Sequence, residues 1–129
     1  MKRKLVLTAC LLALAAVTAA YGQGVTIKAS VDFSFVVEGK PLPAGTYEFT
    51  RESSEQAFRV ASEGKEKAVA LVITRLYVDL TTSPKEPRVV FDKVGENYTL
   101  SEIWIPGHDG YVLALTKGKH EHKAISASR

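Results

Sequence analysis

Cysteine is almost absent from this chain, since Cys10 is the only one in 129 residues. It lies inside the apolar run 5–20, whereas a lipidated cysteine would follow such a run, so we interpret Cys10 as an ordinary apolar residue. Once the N-terminal segment that contains it is removed, the chain has no disulfide, no cysteine metal ligand and no cysteine nucleophile. Its stability must therefore come from packing.

Net positive charge is also missing once the N-terminal segment is set aside. The whole chain carries 17 Lys and Arg against 14 Asp and Glu, a formal charge of +3. Lys2, Arg3 and Lys4 account for that excess, so the remainder is formally neutral. Because a protein that binds nucleic acid needs a positive surface for the phosphates, we expect no nucleic-acid partner.

The N-terminal segment is typical of a bacterial export signal, with basic residues at 2–4 before the apolar run 5–20. The run is shorter than the ~20 apolar residues that span a membrane, which favours a cleaved signal over an anchor. We predict a signal peptide at 1–22, cleaved after Gly22, with a cut after Ala20 as the alternative. The product is expected in the periplasm or outside the cell, without a transmembrane segment in the mature chain.

From residue 25 onward the chain is organised as alternating strands. Six further runs follow the first, separated by turn residues, and no helical period lies between them. We predict an all-β fold, a single antiparallel β-sandwich or flattened β-barrel of about seven strands, in a domain covering 23–116. The run 68–78 is apolar on both faces, so we expect it to be central or covered on both sides. In the first run, every second position is apolar: Val25, Ile27, Ala29, Val31, Phe33, Phe35 and Val37.

The sequence Leu42-Pro43-Ala44-Gly45 predicts the turn of the first hairpin. Pro43 has the φ that the second position of a type I turn requires, and Gly45 suits the fourth position. We therefore expect Gly45→Val to destabilise the domain.

Aromatic residues occur in most of the predicted strands. They either fill the core between the sheets or line a cavity for an apolar ligand inside a small barrel. Filling the core is the commoner use of such residues in β proteins. We assign to the core Phe33, Phe35, Tyr47, Phe49, Phe91 and Trp104.

The tail 117–129 is polar and basic, and we expect it to be frayed or to form a short helix. It contains His120 and His122, whose imidazoles would point to the same side of an extended chain, while His108 lies in an earlier loop. Histidines in this spacing can bind zinc or copper when other ligands complete the site. No such ligand is apparent in the sequence. We therefore predict no cofactor and solvated histidines, and keep these three as the metal candidates.

Two motifs resemble a known group of proteins. The first is F-x-F-x-V followed by L-P-A-G-x-Y, at 33–37 and 42–47, and the second is F-x-x-x-G-x-x-Y-x-L-x-x-I-W, at 91–104. Together they resemble uncharacterised short exported bacterial proteins of an acidobacterial type. The resemblance covers most of the mature domain and implies export, but it implies no activity and no catalytic residues. The histidine-containing tail departs from the usual polar ending of that group.

Motifs of common active sites are missing, because the sequence has no G-x-S-x-G, no H-E-x-x-H and no glycine-rich phosphate loop. Active sites can also be assembled from distant residues, so this absence favours a non-enzyme without excluding an enzyme. We expect an exported non-enzymatic binding or structural β module whose partner is a protein or a cell-envelope component. The alternatives are a small β-barrel carrier of an apolar ligand and a hydrolase with dispersed active-site residues.

Overall fold

The computed structural model describes residues 24–52, 56–76, 85–108 and 110–129. The predicted signal peptide at 1–22 and its cleavage site lie outside these residues. Within the described ranges, no helix is long and apolar enough to cross a membrane.

The described residues form eleven strands and no helix. The alternation of polar and apolar residues is the reason, since only an extended chain places every second side chain on one face. The strands, in chain order, are β1 Val25–Val31, β2 Phe35–Val37, β3 Lys40–Leu42, β4 Gly45–Arg51, β5 Ala57–Ser62, β6 Lys65–Leu71, β7 Thr74–Leu76, β8 Arg88–Val94, β9 Asn97–Trp104, β10 Gly110–Val112 and β11 Glu121–Ser126.

The strands form two sheets, which confirms the predicted all-β fold class. The first sheet has the order β1-β4-β5-β6, and the second has the order β11-β8-β9-β10-β7. Neighbouring strands in both orders are antiparallel. The short strand β2 joins the second sheet beside β9 through the one parallel pair among the described residues, and β3 pairs with β2.

Two of the predicted strands are divided between the sheets, which is one reason that the structure has more than seven. The alternation of 25–37 continues through 32–34, but there the chain leaves the first sheet and enters the second as β2. The run 68–78 is likewise divided into β6 and β7, each at a sheet edge. The expectation that this run is central or covered is therefore wrong. Among the described residues, no layer covers the outward face of 68–76, where Leu71 and Ile73 are 60% and 53% exposed.

The first hairpin turns at a different place from the one predicted. Glu38 and Gly39, which join β2 to β3, have positive φ angles of 50° and 77°. Two successive positive φ angles are typical of a type I′ hairpin turn. Pro43 instead lies between β3 and β4, which belong to different sheets, and Gly45 is the first residue of β4.

Gly39 and Gly45 should therefore respond differently to substitution. The expectation that Gly45→Val destabilises the domain depended on a hairpin turn at Gly45, and the turn lies at Gly39 instead. At Gly39 the positive φ disfavours any residue with a Cβ, so Gly39→Ala should lower the free energy of unfolding by about 1 kcal/mol. A Cβ at Gly45 would meet only Tyr47 Cε2, at 3.7 Å, so Gly45→Ala should be nearly neutral. Urea denaturation measures both changes, and equal losses would contradict this turn assignment.

The core lies between the two sheets and is rich in edge-to-face aromatic contacts. The ring of Phe91 lies 5.0 Å from that of Phe33 and 5.1 Å from that of Phe35, and Phe35 also lies 5.1 Å from Tyr47. Of the aromatics assigned to the core, Phe35, Tyr47, Phe49 and Phe91 are buried. Phe33 is half-buried and packs against this cluster.

Trp104 lies outside this core and is half-buried on the surface of the second sheet. Its Nε1 donates to Glu102 Oε1 at 3.1 Å. Its ring lies against Gly110, its partner in β10, where a Cβ would be only 2.5 Å from the indole. The glycine thus makes room for the tryptophan on this surface.

The edges of the two sheets meet on both sides of the sandwich. On one side the chain passes directly from β6 to β7, and the Ile73 N–H donates to Val112 O at 2.8 Å. On the other side, Lys28 in β1 exchanges two backbone hydrogen bonds with Ser128, which follows β11, at 2.7 and 2.9 Å. The tail, for which the sequence predicts a frayed end or a short helix, therefore contains a strand that closes one side of the sandwich.

Tyr47 should make the stability of this core depend on pH. Its hydroxyl donates to Pro43 O at 2.6 Å, and burial raises the pKa of the phenol above its usual 10.0. The folded state then holds this proton more tightly than the unfolded state does. The stability that this adds is complete below pH 10.0 and is lost as the pH rises through the folded-state pKa.

Between about pH 9 and about pH 11, the free energy of unfolding should therefore fall more steeply for the wild type than for Tyr47→Phe. Urea denaturation at several pH values measures this difference. Because both proteins share their other tyrosines, parallel curves would contradict the link to Tyr47.

Candidate metal centre

A carboxylate is buried on the face of the second sheet that points away from the core. Phe91 in β8 belongs to the core, so the next residue, Asp92, points to the opposite face. Asp92 is only 3% exposed there. The segment 113–117 lies next to it, held in place by the Leu113 N–H, which donates to Ser101 O at 2.7 Å. Burying a carboxylate is costly unless its oxygens find partners.

Two hydroxyl groups satisfy the carboxylate of Asp92. Ser101 in β9, itself 1% exposed, donates through Oγ to Oδ1 at 2.9 Å. Thr116 donates through Oγ1 to Oδ2 at 2.6 Å. Each carboxylate oxygen thus accepts a hydrogen bond, which offsets the loss of water. Together the two bonds also hold the carboxylate in one orientation.

Two histidines of the tail face the same carboxylate. His122 in β11 is the direct antiparallel partner of Asp92, and its Nδ1 lies 2.9 Å from Oδ1. His120 has its Nε2 3.9 Å from the same oxygen. The Nδ1 of His120 lies 2.8 Å from Gly118 O, and because a carbonyl oxygen only accepts, Nδ1 is the donor. In the neutral imidazole, Nε2 then has a free lone pair close to Asp92.

Asp92, His120 and His122 form what we call the Asp92 cluster, in which one ligand atom from each residue lies within 4.8 Å of the others. Zinc binds imidazole nitrogen and carboxylate oxygen at about 2.0–2.2 Å, which places two ligand atoms of a tetrahedral site about 3.3 Å apart. The two separations from Oδ1, 2.9 and 3.9 Å, lie on either side of that value. Adjustments of about half an ångström would bring these two separations to that value.

The outer contacts of the Asp92 cluster are also those of a metal site. Metal-binding histidines usually donate their other ring nitrogen to a carbonyl or carboxylate oxygen, and metal-binding carboxylates are themselves hydrogen-bonded. Gly118 O provides this contact for His120, and the two hydroxyls provide it for Asp92. Asp92 and His120 are therefore oriented for a cation before one binds, whereas Nδ1 of His122 donates its proton to Asp92 and must release it to become a ligand.

The Asp92 cluster opens to solvent through a shallow pocket of ≈ 190 Å³ that Leu76 and Leu115 also line. The side chains of His120 and His122 are 21% and 58% exposed, so an ion can reach the nitrogens without an opening of the core. Structural zinc sites have four protein ligands, whereas sites with three keep a position for water or another ligand. The arrangement fits the second kind.

The same residues do not have the geometry of a hydrolytic triad. In a serine hydrolase, the hydroxyl bonds to the imidazole and the imidazole bonds to the carboxylate. Ser101 and Thr116 instead donate directly to Asp92. Both hydroxyls therefore donate to the carboxylate and stabilise its charge, and neither bonds to an imidazole in the way that a triad requires.

Sequence reasoning kept two members of the Asp92 cluster as metal candidates, although it favoured solvated histidines that contact nothing, and it missed the third. The structure brings His120 and His122 together, with ring centroids 5.0 Å apart. His108 is exposed in the loop after β9 and is not a member. Asp92 is missed because its contact with the tail depends on the pairing of β8 with β11. Its one signal in the sequence is a carboxylate within the apolar run that begins at Val89.

Comparison with protein-family models, with curated proteins and with solved structures finds no significant match to this chain.

Proposed function

We propose that the protein is an exported, non-enzymatic β module that binds a divalent transition-metal ion through the Asp92 cluster. The proposal rests on one observation, the convergence of two imidazole nitrogens and a buried, hydrogen-bonded carboxylate within 4.8 Å. Such a set of ligands contributes one negative charge and two neutral donors to a cation. Binding would shift the proton of His122 from Nδ1, where it donates to Asp92, to Nε2 through solvent, and would replace that hydrogen bond with three metal–ligand bonds.

The ligand atoms favour particular metals. Imidazole nitrogen and carboxylate oxygen suit Zn²⁺, Cu²⁺ and Ni²⁺, whereas Cu⁺ prefers thiolate and thioether sulfur. The whole sequence has one cysteine and one methionine, Cys10 and Met1, and both lie in the predicted signal peptide. A monovalent copper site is therefore disfavoured, and zinc is the first ion to test.

Zinc should bind the purified protein at one ion per chain in isothermal titration calorimetry. His122→Gln removes one of three protein ligands and should weaken binding by at least about tenfold. His108→Gln is the matched control, because it removes an exposed histidine outside the Asp92 cluster. A failure to bind zinc, or equal affinity in wild type and His122→Gln, would contradict the proposed function.

Export is part of the proposal and is supported by the sequence. The basic residues at 2–4, the apolar run 5–20 and the small residues before Gln23 have the layout of a cleaved signal. The resemblance to short exported bacterial proteins of an acidobacterial type supports the same location, in the periplasm or outside the cell.

A protein or cell-envelope partner is a second candidate function, favoured by apolar side chains at the edge of the first sheet. Val69, Leu71 and Ile73 are 39%, 60% and 53% exposed, and such surfaces are typical of interaction sites. The outward N–H of Leu71 donates to Glu38 Oε1 at 3.1 Å, in the position where the carbonyl of an added strand would accept. This contact would be supported if the wild type captures an envelope protein and the Leu71→Lys variant does not.

The two remaining alternatives have less support. A carrier of an apolar ligand needs interior space, whereas the rings of Phe33, Phe35, Tyr47 and Phe91 form a chain of contacts at 5.0–5.1 Å. A hydrolase built on Ser101 or Thr116 needs an activated hydroxyl, whereas both donate to a carboxylate. A metal-dependent hydrolase would instead use water in the open position of the Asp92 cluster.

A further inference from the structure

We infer that metal binding controls the docking of the C-terminal strand, because an ion in the Asp92 cluster fastens β11 to β8. This inference rests on the proposed function and concerns regulation by the same site. It depends on how the ligands are divided: Asp92 belongs to the body of the second sheet, whereas His120 and His122 belong to the tail.

Few side-chain contacts hold β11 in place without an ion. Of its six side chains five are exposed, and Ile125 alone is half-buried against the core. The strand is also held by its six-residue pairing with β8, by the Lys28–Ser128 bridge and by the hydrogen bond between His122 and Asp92. Just after it, Ala127 packs against the core and its N–H donates to Pro87 O at 2.9 Å. Each hydrogen bond contributes only about 1 kcal/mol net, because water replaces it when the strand separates.

The strands beneath β11 are held much more firmly. Val89 and Phe91 in β8, and Leu100 and Ile103 in β9, are at most 2% exposed and belong to the core. Separating β8 from β9 therefore exposes apolar surface, whereas separating β11 from β8 exposes little. Local opening free energies follow such differences, so β11 should open while the rest of the sheet stays closed.

An ion changes this local opening because the complete ligand set exists only when β11 is docked. A ligand that binds the docked state alone shifts the docking equilibrium by the factor 1 + [M]/Kd, where [M] is the free ion concentration. At about 100 times Kd, docking should be favoured about a hundredfold. Loss of the ion has the opposite effect and releases the tail more often.

Release of β11 would uncover two strand edges at once. One is the edge of β8, which pairs with β11 along six residues, and the other is the edge of β1 at Lys28, which bonds to Ser128. Open strand edges accept extended polypeptide segments through backbone hydrogen bonds. Any such segment would compete with β11, so the metal would regulate access to these edges.

Native-state hydrogen exchange of the purified full-length protein tests the inference. With a chelator present, amides of 121–126 should exchange faster than those of β9. Zinc at about 100 times the calorimetric Kd should slow exchange in 121–126 by up to about a hundredfold. β6 is the internal control, because it is an edge strand of the other sheet and its local opening leaves the Asp92 cluster intact.

Two variants separate the metal effect from simple stabilisation of the tail. His120→Gln keeps the hydrogen bond between His122 and Asp92, so it should leave exchange in chelator nearly unchanged. The same zinc concentration should then slow exchange by about tenfold at most, compared with about a hundredfold in the wild type. His108→Gln should respond as the wild type does. The inference is overturned if zinc binds in calorimetry but does not slow 121–126, or slows β6 equally. If zinc does not bind at all, the proposed function fails first, and the inference with it.

Discussion

Phe91→Ala is expected to lower the free energy of unfolding by about 3–5 kcal/mol, the largest effect of any single change considered for this protein. Phe91 is fully buried and its ring meets those of Phe33 and Phe35 at 5.0 and 5.1 Å. It lies in β8, between β11 and β9, so the cavity left by alanine would be enclosed on both sides within the sheet. A domain with ordinary stability of about 5–15 kcal/mol would lose much of it.

Urea denaturation followed by circular dichroism measures this loss. Val94→Ala is the matched control, since it truncates an apolar residue of the same strand whose side chain is 47% exposed, and it should cost less than about 0.5 kcal/mol. If Phe91→Ala were as mild as this control, the core could not lie between the sheets at β8.

Asp92→Ala is expected to lower the free energy of unfolding by about 2–4 kcal/mol, although it removes a charge from a buried position. The hydroxyls of Ser101 and Thr116 and the Nδ1 of His122 all lose their acceptor. Ser101 is 1% exposed, so water cannot readily replace the carboxylate for its hydroxyl. The same change removes one of the three proposed metal ligands and should abolish zinc binding at one ion per chain.

Two comparisons make this prediction specific. Asp92→Asn keeps one carbonyl oxygen as an acceptor, so it should cost less stability than Asp92→Ala while still weakening zinc binding. Glu96→Ala removes an exposed carboxylate from the turn after β8 and should change neither quantity. A stability for Asp92→Ala equal to that of Glu96→Ala would show that the hydroxyls find other partners. Unchanged zinc affinity would place the ion elsewhere.

The positions of the strands and most of their inward faces could be read from the sequence. Alternation places Ile27, Phe35 and Phe49 on inner faces, and each of them is at most 2% exposed in the structure. This works because the period of side-chain direction is a local property of an extended backbone, whatever the strand pairs with. The same property suggested that His120 and His122 point to one side, and both face Asp92.

Prediction from the local pattern failed where the place of a segment in the sheets depended on which strands it pairs with. The alternation of 25–37 shows no interruption at the point where the chain changes sheets, and the apolar run 68–78 does not reveal that its first part is an exposed edge. The polar tail shows no core-facing stripe, yet backbone pairing with β8 makes it a strand. Backbone hydrogen bonds carry no side-chain signature, so such a pairing leaves little trace in the sequence.

The sequence by itself therefore determined that the chain is a β protein, formally neutral over residues 23–129, with no sulfur ligands beyond Cys10 and Met1 and two histidines on one side of a tail. Only the tertiary structure decided that those histidines meet a carboxylate. Asp92 and His122 are neighbours because the antiparallel register of β8 and β11 places them opposite each other. Register arises from the packing of the whole sheet, and no local period of residues encodes it.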